Sequence, residues 1–172
     1  MRLTALALPE VPHIPGRNVR PEAGLFFDIA QAAPETTDPA RWRDNRAWLY
    51  GVDLYAGGFF WETHEVWEPV WMGARPNSPE RTLVQGLIHL ANACLKLEMS
   101  RLNAARRLTA LAAGCLGDAR SAGPTGLMGV DMPPLLADLD RFATLLRNAS
   151  GADGPVGARP VLRLAGAVEE GP

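Results

Sequence analysis

Apolar residues recur along this chain at three- and four-residue intervals, and no stretch sustains the two-residue alternation of a half-buried strand, so the pattern predicts an all-α fold. Trp42, Trp48, Leu49, Val52 and Tyr55 supply one apolar face, and Asp38-Pro39 gives a cap followed by a first-turn proline. A helix is therefore expected over about 39–56, stopped by Gly57-Gly58. The string FFWETHEVWEPVWM carries a second from Phe59 to about 72, with Pro69 kinking or weakening its last turn. Ser78-Pro79-Glu80, a capping serine, an N1 proline and a first-turn acid, opens a third over about 79–100. Asn103 and Gly117 bracket a fourth at 104–116, and Asp131 ahead of Pro133-Pro134 opens a fifth through about Asn148.

These elements predict a compact bundle of about five helices over 38–149. A Pro/Gly-rich N-terminal arm, 1–37, and a C-terminal tail, 150–172, flank it, and VLRLAGAV at 161–168 is apolar enough to dock. The helix at 79–100 is apolar nearly all round, which makes it central. Its polar groups Gln85, His89, Asn92 and Lys96 fall in one narrow stripe. That stripe is either a thin solvent-facing line or an inward set in which each group needs a partner. A close approach of the two neighbouring helices at Gly86 would mark it as inward.

On the preceding helix, Val66, Val70, Phe59, Phe60, Trp67 and Trp71 share a broad face with His64 at its margin and Glu68 beside it, while Glu62 and Glu65 turn further round. His64 and Glu68 are the pair expected to be half buried. A histidine beside a carboxylate and walled by tryptophans has the chemistry of a general base held basic by the acid. His64, Glu68 and His89 equally make an N/O ligand set for a divalent metal. The string HEVWE has Glu where a zinc metalloprotease helix needs its second His, so that particular motif is incomplete. An i, i+4 ion pair without catalytic duty is the structural alternative.

Composition narrows the function classes. At 172 residues, 47% apolar, the chain is long enough for one cored domain and too apolar for wholesale disorder. A formal charge of −2 argues against a broad electrostatic footprint, so neither nucleic acid nor an anionic membrane surface is an expected partner. Leu3 to Leu8 before Pro9 is too short for a signal peptide, and no run approaches the roughly 20 apolar residues of a membrane span. Cys94 and Cys115 read as core thiols, consistent with a reducing cytoplasm. Five tryptophans exceed what the core needs, which keeps a homo-oligomer with an aromatic face in view.

The strings GGFFWETHEVWEPVW at 57–71, LVQGLIHLANACLKL at 83–97 and RLNAARRL at 101–108 together resemble the prokaryotic domain of unknown function 309 family. GVDMPPLLADLDRF at 129–142 is similar to its last helix, extending the resemblance over about 44–146. The resemblance implies a compact all-helical fold and marks His64, Glu65, Glu68, Trp71, Gln85 and Gly86 as motif positions. His89 stands where the family usually has a second Gln, and Ser100-Arg101-Leu102-Asn103 departs from its usual turn. It implies no activity. The expectation is thus a non-catalytic small-ligand-binding or protein-interaction domain with a polar, Trp-walled cleft at His64, Glu65, Glu68, Trp71, Gln85, His89 and Asn92. The alternative is a metal-dependent or His/Glu acid–base hydrolase-like enzyme using His64, Glu68 and His89.

Overall fold

A computed structural model of the chain describes residues 2–122, 127–150 and 158–165. Among these, the fold is all-helical. Its α-helices are α1 (Leu25–Gln31), α2 (Arg46–Gly57), α3 (Phe60–Gly73), α4 (Pro79–Glu98), α5 (Leu102–Ala122) and α6 (Met132–Asn148). Residues 123–126, between the fourth and fifth expected helices, and most of the tail, including 166–168 of the apolar string, lie outside the described residues. No helix is long and apolar enough to cross a membrane, among the described residues.

The expected helix at 39–56 is two elements. Asp38 does cap a turn, its carboxylate accepting from Ala40 N–H at 2.9 Å, but the turn is a 3-10 helix over Pro39–Asp44. Asn45 then leaves the helical region and caps α2, accepting from Trp48 N–H at 3.0 Å. A short polar side chain that can bond the backbone two or three residues on competes with helix continuation, and here it wins. The expected stop is at Gly58, whose φ of 85° is the left-handed conformation that favours glycine.

Helix α3 continues through Pro69 to Gly73. Its C-terminal carbonyls are satisfied from outside: Arg81 donates to Trp71, Met72 and Ala74 at 3.0–3.2 Å, and Thr37 donates to Val70 and Gly73. Ser78 caps α4 as expected, accepting from Arg81 N–H at 3.2 Å. Helix α4 packs between α3 and α5, and α6 packs on α5.

Helix α5 overruns its expected bounds at both ends. Asn103 lies inside its first turn and binds the Arg106 guanidinium, so it is not the cap. Gly114 and Gly117 are helix interior, with open space where a Cβ would stand. An interior glycine costs about 1 kcal/mol against alanine. The buried series Ala105, Thr109, Ala112, Leu116, Ala119 carries the apolar face past both glycines and outweighs that cost.

The region before residue 38 contains α1, which burial of Phe26 and Ile29 holds against α3. Ahead of it the chain runs as a strap across α2 and α3. Asp53 accepts from Leu3 N–H at 2.6 Å and from the Thr4 N–H and hydroxyl at 2.8 and 2.6 Å. Tyr50 O–H donates to the Ala7 carbonyl at 2.7 Å, and His13 N–H donates to Glu62 at 2.7 Å. Residues 158–165 dock as well: Tyr55 O–H donates to Pro160, and Val130 bridges to Leu164.

Candidate functional site

The residues singled out in the sequence lie along α3 and α4. His64, Glu65 and Trp71 are half-buried and Glu68 is exposed; on α4, Gln85 is exposed and His89 and Asn92 are half-buried. The stripe of Gln85, His89, Asn92 and Lys96 is thus on the least buried side of α4. Gly86 is indeed a point of close approach, but to α5: a Cβ there would meet Leu116 and Cys115 at 2.9–3.0 Å. A separate tight contact, between α2 and α3, lies at Gly51, where a Cβ would run into the Trp67 indole.

His64 acts electrostatically on His89 across this surface. Burial first, and then the neighbouring His64 charge, push His89 below the ordinary histidine range. Glu68 makes no side-chain hydrogen bond or ion pair with either histidine, among the described residues. No group of three or more His, Cys, Asp or Glu side chains is placed to hold a metal ion, among the described residues. The tryptophan rings pack within the fold, with the indole N–H groups of Trp48 and Trp71 buried without a partner. Trp67 is fully buried, stacked on Trp48 at 5.6 Å with its indole N–H bonded to the Trp48 carbonyl. Trp71 lies under the Arg81 guanidinium at 4.2 Å.

Among the described residues two acids are buried, Asp53, which anchors the N-terminal strap, and Glu62. Glu62 is 1% exposed, where the wheel pointed it toward solvent or a neighbouring helix. One carboxylate oxygen accepts from His13 N–H at 2.7 Å; the other, Oε2, is buried without a partner. Burial raises its carboxyl above the ordinary range, against the lowering by the His13 N–H bond. Glu62 lines a cavity of about 370 Å³ between the strap, α1 and the α2–α3 face, with Leu8, Glu10, Leu25, Phe26 and Tyr50 among the other walls. The Tyr50 hydroxyl is likewise raised by burial, with Asp53 and Glu62 adding to the effect and Arg2 opposing it. One signal for Glu62 was present in the sequence: it stands one turn before Val66, on the edge of the apolar face. Its burial, however, is completed by a strap whose contact residue, His13, is 49 positions away.

The buried Cys94 thiol is pushed up to about 12, chiefly by burial, which makes it an inert core group.

The class of protein defined by these features is a compact all-helical domain with a buried acid in the lining of a surface pocket. Residues 48–108 match the model of the family described as Domain of unknown function (DUF309), and over these residues the chain resembles that family. The match takes in nearly all of α2, all of α3 and α4 and the first part of α5; the similarity suggested at 129–142 lies beyond it. No curated protein and no solved structure matches the chain. Glu62 and Tyr50 fall inside the matched segment, and the strap and α1 precede it.

Proposed function

We propose that the protein is a non-catalytic small-ligand-binding domain whose site is the pocket over Glu62. The observation that carries this reading is the unpartnered Oε2 of a carboxylate that lines a cavity of about 370 Å³. Leaving a buried acceptor unsatisfied costs about 1–3 kcal/mol, which a ligand donor recovers. Small-ligand sites are mostly apolar cavities of roughly 300–1,000 Å³ with a few placed polar groups, and this pocket has that character.

The test is a titration of the full chain with a set of small neutral, cationic and anionic fragments, followed by amide NMR. Shifts clustered at Val11, Leu25, Phe26 and Tyr50 are expected. Shifts absent from these amides for every fragment would remove the reading.

The hydrolase-like alternative draws support from one observation, the electrostatic influence of His64 on the neighbouring His89. It requires stoichiometric metal in the purified protein that is lost on His64→Ala, or turnover abolished by that change.

A further inference from the structure

We propose that the pocket over Glu62 selects a primary ammonium ion on a short aliphatic body, the ammonium donating to Glu62 and the body lying against Leu8, Leu25 and Phe26. This rests on the ligand-binding reading above and adds the chemical class of the ligand.

An ionised carboxylate only accepts hydrogen bonds, so the occupant must donate. The Tyr50 hydroxyl, the one side-chain donor in the described lining, is already committed to the Ala7 carbonyl. The described lining contains two acids, Glu10 and Glu62, and no Lys, Arg or His. An anionic ligand therefore meets like charge with no compensating cation, whereas an ammonium forms a charge-assisted hydrogen bond. Arg20 is engaged elsewhere, 5.3 Å from the Trp61 ring and 4.0 Å from Glu65, the His13 ring bonds Asn18 at 2.9 Å, and Arg2, which acts on Tyr50, does not line the pocket. The remaining walls are apolar, so an aliphatic chain gains by burial, and the aromatic rings of Phe26 and Tyr50 favour a cation over a neutral head group. At about 370 Å³ the cavity has room for a short aliphatic chain.

Ammonium binding needs Glu62 ionised, so acidification weakens it. Several other groups share this neighbourhood: Glu10 and His13 on the strap, Tyr50 and Asp53 on α2, Glu65 on α3, and Arg2 near Tyr50. The pH dependence that belongs to Glu62 is accordingly the part lost in Glu62→Gln.

The full chain is titrated with n-butylammonium chloride, n-butanol and sodium butyrate at about pH 7.5, well above the ordinary carboxylate range. The amides of His13, which bonds Glu62, and of Phe26 are followed. Saturable shifts are expected with n-butylammonium at least about tenfold tighter than either isostere. Glu62→Gln should abolish that preference and the weakening at low pH. The wild-type comparison of the three probes stands by itself if the variant does not fold. Butanol or butyrate binding as tightly at these amides overturns the amine class and leaves the ligand-binding reading intact. A preference unchanged in folded Glu62→Gln overturns the role of Glu62. Silence at these amides with all three probes overturns the proposal, and silence with the fragment set as well overturns the broader reading.

Discussion

Glu62 is a carboxylate whose surroundings favour its protonated form, and that has a consequence for stability. Because its folded pKa is raised, the folded state keeps a proton that the unfolded chain has released. The contribution of this group is greatest below the ordinary glutamate range and declines as pH rises through the raised value. Glutamine can keep the bond from His13 N–H without carrying the charge. Glu62→Gln should therefore gain on the wild type as pH rises from about 4 to about 7, by at most roughly 1.4 kcal/mol per pH unit between the two pKa values. Urea midpoints of both proteins at several pH values check this, and a difference independent of pH would contradict it.

At the scale of elements, two kinds of interior glycine are distinguished by their neighbours. Gly51 of α2 is where the Trp67 ring sits, so Gly51→Ala forces a fully buried, rigid indole to move and disturbs its bond to the Trp48 carbonyl. A loss of about 3 kcal/mol is expected, at the upper end for an overpacked core. Gly114 and Gly117 of α5 have open space instead, and alanine at either should raise stability by roughly 0.5–1 kcal/mol through helix propensity and a less flexible unfolded chain. Thermal and urea unfolding of the three variants gives the signs directly. The composition around Gly117 suggested a helix end, because a glycine stop and a tolerated interior glycine look alike in one dimension. The period of the buried face, running on through Leu116 and Ala119, was the better guide. Helix α1 escaped notice for a different reason. Seven residues that follow a glycine and have no side-chain cap carry too little periodicity to stand out, and burial of Phe26 and Ile29 is what makes them a helix.

For the whole molecule, the strap is the element that forms one wall of the pocket, and Asp53 is its anchor. Asp53 is 2% exposed and holds Leu3 and Thr4 through three hydrogen bonds. Asp53→Ala should cost on the order of 2–3 kcal/mol, since hydrogen bonds to a charged group exceed neutral ones. The strap should become a site of early limited proteolysis while α2–α6 stay protected. The cavity over Glu62 should open in the same variant, so amides of Val11 and Phe26 exchange faster with solvent. Equal protease resistance in the variant and wild type would mean that the strap is held by its other contacts.

The sequence by itself determined the all-helical class and most of the helix starts and stops. A cap such as Ser78, a stop such as Gly58 and the 3.6-residue period act within a few residues and need no partner elsewhere in the chain. It also determined the motif segment shared with the family over 48–108. Tertiary structure alone decided which acids are buried and where a pocket forms. The stripe on α4 could face solvent or the interior by its spacing alone; in the fold Gln85 faces solvent while Gly86, one position on, turns toward α5. Glu62 looked peripheral, yet it is covered from a distance by the strap. Burial of a side chain is set by which surface arrives over it, and that surface comes from contacts between residues far apart in the chain.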